Sequence, residues 1–138
     1  MSELNACFGR FQLLRWNEDE KKRIYHYDTL YNSLKDVRSV KVWPRVEGCG
    51  SPFVFPIRIL SNDIDHIQRS IIQEGVEIRS LMGGGIHDQP GWATVPHDGL
   101  RSCKTISESS FFVGIHQTLK TPNVDIVASI LRSKLSNL

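Results

Sequence analysis

Ser51-Pro52-Phe53-Val54-Phe55-Pro56-Ile57-Arg58-Ile59-Leu60 packs Phe, Val and Ile into one short run. β-Branched and aromatic residues at that density favour a strand with buried neighbours. The spacing predicts that strand over Phe53–Leu60. Pro56 lies inside it and has no N–H to give a ladder, so the strand is expected at an edge or with a bulge. Downstream, Ser61 or Asn62 is placed to cap a helix whose apolar stripe is Ile64, Ile67 and Ile71. Gly75 then suits a left-handed C-cap, and Val76–Ser80 reads as the next strand. Upstream, Glu47–Ser51 forms a glycine-containing turn, and Val40–Trp43 is a short strand ahead of it.

The flanks are helical. Residues 17–37 read as a helix with Asn17 as its cap. Glu18, Asp19 and Glu20 fill the first turn, which favours negative charge. Ile24, Tyr27, Tyr31 and Leu34 supply one apolar stripe. Phe8–Trp16 before it is too short and aromatic for a tail and asks for a partner surface. After Ser80 come a glycine-rich loop over Met82–Gly91, a helix within Gly99–Ser109, and a strand over Phe111–Ile115. A last helix is capped by Thr121, with Pro122 at its first position, where a missing N–H costs nothing. Its buried face is Val124, Val127, Leu131, Leu135 and Leu138. The order implies an α+β domain: a small, largely antiparallel sheet with helices packed on it.

At 138 residues, with 40% apolar and 23% charged side chains, the chain has the make-up of one ordinary globular domain. A net charge of +2 argues against a nucleic-acid or anionic-membrane partner. Lys21, Lys22 and Arg23 stand beside Glu18, Asp19 and Glu20 and read as a solvated helix face. Cys7, Cys49 and Cys103 are odd in number and widely spaced, so no CxxC metal pair exists, and lone thiols fit a reducing compartment. No apolar run approaches the roughly 20 residues of a membrane span. No signal-peptide core opens the chain. The expected setting is cytoplasmic.

Met82-Gly83-Gly84-Gly85-Ile86-His87-Asp88-Gln89-Pro90-Gly91 is the least ordinary stretch. Consecutive glycines let a backbone approach a ligand closely, and their N–H groups can hold an anion. No Lys-Ser/Thr follows, so this is not a Walker loop. It is either a plain connection or a ligand-facing loop. Arg79, at the end of the strand feeding it, is either a phosphate or carboxylate clamp or a surface arginine. His87 and His116 are of the residue type most used for proton transfer, and each is either a site residue or an ordinary surface histidine. Asp63 and Asp65 are accounted for by a helix start. GxSxG and HExxH motifs are absent.

Several segments together resemble the C-terminal part of the DegT/DnrJ/StrS family of sugar aminotransferases. They are Phe8-Gly9-Arg10-Phe11-Gln12-Leu13 and the helix after it; Ser51–Ile57; Gly75-Val76-Glu77-Ile78-Arg79; Leu81–Gly85 with Gln89-Pro90; and Ser110-Phe111-Phe112-Val113-Gly114-Ile115-His116. The last two resemble the branch of 3-dehydrases acting on CDP- or GDP-linked 4-keto-6-deoxyhexoses. That branch carries Asn where Gly85 stands and a basic residue where Asp88 stands. The resemblance implies an aminotransferase-like small domain over residues 17–138, with residues 1–16 as the remnant of a linker from a large domain. Pyridoxal or pyridoxamine phosphate would be held by that large domain, so no cofactor and no catalytic residue belong to this chain alone. Arg79, Gly83, Gly84, Gly85, His87, Gln89 and His116 would face substrate or cofactor. The partners implied are a large-domain chain or a second copy, and a nucleotide-linked 4-keto-6-deoxysugar of the kind built into lipopolysaccharide. The alternative is a stand-alone binding or protein-interaction module derived from that domain.

Overall fold

A computed structural model describes residues 2–48, 50–61, 63–81, 89–92, 94–96 and 100–137. Helix α1 spans Glu3–Leu34. It is followed by β1 (Val40–Lys41), β2 (Val54–Ile59), α2 (Ile64–Gln73) and β3 (Ile78–Ser80). A 3-10 turn at Pro90–Trp92 precedes α3 (Arg101–Ser109), β4 (Ser110–Gly114) and α4 (Thr121–Ser136). The strands form one antiparallel sheet in the order β1-β2-β4-β3. The expected α+β architecture is therefore the one observed.

Alternation along the strands sorts the sheet into two faces. Phe55, Ile57 and Ile59 of β2 share one face with Phe111 and Val113 of β4, and all five are buried. α1 packs on β2 and on α4, α4 also packs on α2, and Leu131 and Leu135 of α4 join the same core. Leu30, Leu34, Ile67, Ile71, Leu131 and Leu135 complete the core. Each such side chain, fully buried, contributes about 1.5–3 kcal/mol. Tyr27 meets Phe55 edge to face, with ring centroids 4.9 Å apart. Its hydroxyl donates to the Trp43 carbonyl at 2.9 Å.

Pro56 is not on an edge strand, because β2 has a neighbour on each side. The Phe53 carbonyl accepts from Ile115 on the β4 side, and the Leu60 N–H donates to Ser39 on the β1 side. Alternation then turns the Pro56 nitrogen toward β1. β1 reaches only Arg58 and Ile59, so no ladder bond is lost. An interior strand thus has an open flank where its proline sits.

The helix starts need correction. α1 does not begin at Asn17. Ser2 is its N-cap and accepts from the Asn5 N–H at 3.4 Å. Extending a helix is cheaper than nucleating another, and residues 10–17 hold no glycine or proline to stop it. The expected boundary at residue 16 therefore falls inside one continuous helix. Asp63, not Ser61, is the N-cap of α2, and Lys120 caps α4 with no side-chain bond. Thr121 is already helical there, and Pro122 sits in the first turn. Gly75 has φ of +84°, the left-handed cap that was expected. Cys7 and Cys103 are free and exposed.

Candidate functional site

Arg79 lies on edge strand β3 and pairs with Phe112 across the ladder. It therefore points from the sheet face opposite the core. His116 follows β4 by two residues and is exposed. Although distant in sequence, both line one shallow hollow of about 360 Å³, with Glu77, Phe112, Gly114 and Leu119 among its walls. The structure thus brings together two of the residues expected at a site. Gln89 is exposed, and its carbonyl accepts from Trp92 to close the 3-10 turn. It does not line the hollow. Gly83, Gly84, Gly85 and His87 lie outside the described residues.

Arg79 is not an empty clamp. Its Nε and Nη2 both donate to Glu77 Oε1, at 3.0 and 2.8 Å. Both side chains are largely exposed. An exposed pair of this kind contributes less than about 1 kcal/mol, so an incoming anion can displace Glu77 cheaply. Sequence reasoning passed over Glu77. The signal was the two-residue spacing of Glu77 and Arg79 on a strand, which puts both on the same face.

His116 has a defined hydrogen-bonding direction. Its Nδ1 accepts from the Thr118 N–H at 3.3 Å and lies 2.8 Å from the Thr118 hydroxyl. A neutral ring accepting at Nδ1 carries its proton at Nε2, an assignment that follows from the hydrogen bonds. His116 therefore offers an N–H donor. The hollow can bind an anion through Arg79 and a polar oxygen through His116, against an apolar floor.

The same donor set does not fit covalent capture of an aldehyde cofactor. Among the described residues no lysine lines the hollow, and the carboxylate that does, Glu77, is tied to Arg79. Among the described residues, no cluster of three His, Cys, Asp or Glu side chains is placed to hold a metal. No helix there is long and apolar enough to cross a membrane.

Comparison with known proteins adds the following. The sequence model of the DegT/DnrJ/EryC1/StrS aminotransferase family matches residues 1–132. No curated protein matches by sequence. Among solved structures, the fold is similar to an aminotransferase from Psychrobacter cryohalolentis (TM-score 0.85, 22% identity), covering 99% of this chain and 39% of that one. It is similar to the aminotransferase TlmJ from Streptoalloteichus hindustanus (TM-score 0.82, 20% identity), covering 94% of this chain and 35% of the other. It is also similar to the E. coli GDP-4-keto-6-deoxy-D-mannose-3-dehydratase with bound hydrated PLP (TM-score 0.77, 18% identity), covering 89% and 34%. The chain thus spans about a third of the length of these structures.

Proposed function

The chain belongs to the DegT/DnrJ/EryC1/StrS aminotransferase family, and from that premise we propose that it is the small domain of a PLP- or PMP-dependent nucleotide-sugar enzyme, with its cofactor held on a different body. One observation carries this reading. Neighbouring structures cover nearly all of this chain, while the chain covers only about a third of them. In addition, among the described residues no lysine lines the sheet-edge hollow.

In this reading Arg79 and His116 form one wall of the site. Arg79 exchanges Glu77 for an anionic group of the substrate. His116 donates its Nε2 proton to a sugar or phosphate oxygen. By the family resemblance, Gly83, Gly84, Gly85, His87 and Gln89 would also face substrate or cofactor. The cofactor supplies an electron sink when bound; this chain's share is to orient the substrate. The substrate class is a CDP- or GDP-linked 4-keto-6-deoxyhexose, and the reaction is transamination or removal of a sugar hydroxyl. The pathway is deoxysugar formation of the kind that feeds lipopolysaccharide, in the cytoplasm.

The exposed apolar side chains of the first half of α1 favour a partner there, either a large-domain chain or a second copy. Residues 1–16 are then the helical connection to the large domain.

The test is a nuclear magnetic resonance titration of the chain with a CDP- or GDP-linked 4-keto-6-deoxyhexose. Shifts should concentrate at Arg79 and His116, and Arg79→Ala should abolish them. Pyridoxal phosphate alone should give no stoichiometric, borohydride-trappable adduct at a defined lysine. Turnover of the keto-sugar by the isolated chain would overturn the proposal.

A further inference from the structure

A second concavity adjoins the first at Leu119 and lies between α1 and the segment that leads from β4 into α4. It has a volume of about 630 Å³, within the usual range for a small-ligand site. Arg15, Lys21 and Lys22 reach it from α1, and Lys120 from the start of α4. Arg23 holds that segment in place, donating from Nε and Nη2 to Gln117 Oε1 at 2.9 and 2.7 Å. The positive end of the 16-residue helix α4 opens into the same space at Thr121.

The acidic groups beside these lysines on α1 are Glu18, Asp19 and Glu20; none of the three lines the concavity, and Asp19 is buried, with Oδ1 3.7 Å from Arg15. Among the described residues, Lys21, Lys22 and Lys120 make no ion pair. Cations brought together on one concave wall repel one another unless an anion sits between them.

The independent observation is His26. It lines this concavity, yet only 2% of it is exposed, and its Nδ1 has no hydrogen-bond partner. A buried ring nitrogen left unpaired is destabilising. Burial holds its pKa below the ordinary imidazole value, outweighing the nearby Ile115 and His116 carbonyls, which favour the charged ring; Lys22 disfavours it further. A bound anion would bring negative charge beside the ring and favour its protonated form.

We infer that this concavity is a binding site for a phosphate-class polyanion, a phosphate or diphosphate group. The Lys21, Lys22, Lys120 and Arg15 side chains surround it, with the buried His26 ring in its wall. The site adjoins the Arg79 hollow at Leu119 but draws its cations from α1 and the start of α4, and it does not depend on the function proposed there.

The experiment is a heteronuclear NMR titration of the chain with inorganic diphosphate at low ionic strength. Saturable shifts should centre on Lys22, His26 and Thr118–Thr121, and the His26 ring should titrate at higher pH when the anion is bound. Lys22→Gln with Lys120→Gln should weaken binding about tenfold or more, a loss of ~1.4 kcal/mol per tenfold. Lys104→Gln, whose lysine pairs with Glu108 elsewhere, should leave affinity unchanged. Circular dichroism checks that each variant folds. A second titration with CDP or GDP identifies the source of the group. Tighter binding than diphosphate points to a nucleotide, and equal binding to the free anion. The inference fails if shifts do not saturate, if Lys104→Gln weakens binding as much as the double variant, or if the double variant binds like the parent.

Discussion

α1 behaves as two different helices joined end to end. In its second half, Leu30 and Leu34 are 1% and 0% exposed, and Tyr27 is locked between Phe55 and the Trp43 carbonyl. In its first half, every described residue up to Glu18 is exposed, including Phe8 and Phe11 at 65% and 66%. The apolar content is similar, but the direction differs. At 3.6 residues per turn, the stripe of Leu4, Phe8 and Phe11 lies roughly a third of a turn from that of Tyr27, Leu30 and Leu34. A helix that serves one core keeps one stripe. This helix carries two, and the domain's own core takes only the second.

The sharpest test of that contrast is stability. Leu30→Ala should cost about 2–5 kcal/mol in urea unfolding, whereas Phe11→Ala should stay within about 0.5 kcal/mol. Equal losses would mean that both halves share one core, and the contrast would be gone. Next comes association. If the first half meets a partner, Phe8→Asp with Phe11→Asp should weaken self-association or large-domain binding by at least about 2 kcal/mol, a hot-spot effect. Sedimentation across a concentration series reads it, and a parent chain that stays strictly monomeric would remove the second-copy form of the idea.

A smaller effect distinguishes the polar anchor of the second half. Tyr27→Phe removes the bond to Trp43 and should cost about 1 kcal/mol. The smallest is a pH dependence. His26, with its pKa lowered in the folded chain, resists a proton that the unfolded chain accepts at its ordinary value of 6.5. The unfolded state then binds more protons, so stability is full above that value and declines as pH falls below it. His26→Gln should flatten the decline, and an unchanged acid limb would show that other groups control it.

Much of the fold could be read from local pattern. The Phe53–Leu60 run, the Ile64-Ile67-Ile71 stripe and the cap at Gly75 each carry their own signal. What failed were the helix starts. Asn17 has the chemistry of a cap, but caps compete with propagation, and nothing before it stops α1. The site was half legible. Arg79 and His116 stood out by residue type, and the glycine loop by composition. Glu77 drew no notice because an exposed carboxylate is ordinary until its neighbour is known. Lys21 and Lys22 read as a solvated face. Yet Asp19 beside them is buried, and Arg23 is tied to Gln117 across the chain.

By itself, the sequence determined which segments coil or extend, the family to which the chain belongs, and where glycine must turn the backbone. Those properties depend on residues a few positions apart, whose side chains repeat with the period of a helix or a strand. Only the tertiary structure decided that Pro56 sits opposite an open flank, that Arg79 shares a hollow with His116, and that Lys120 lines one concavity with Lys22 and a buried His26. Such juxtapositions join residues far apart along the chain. They are set by how sheet and helices pack, which no local pattern encodes.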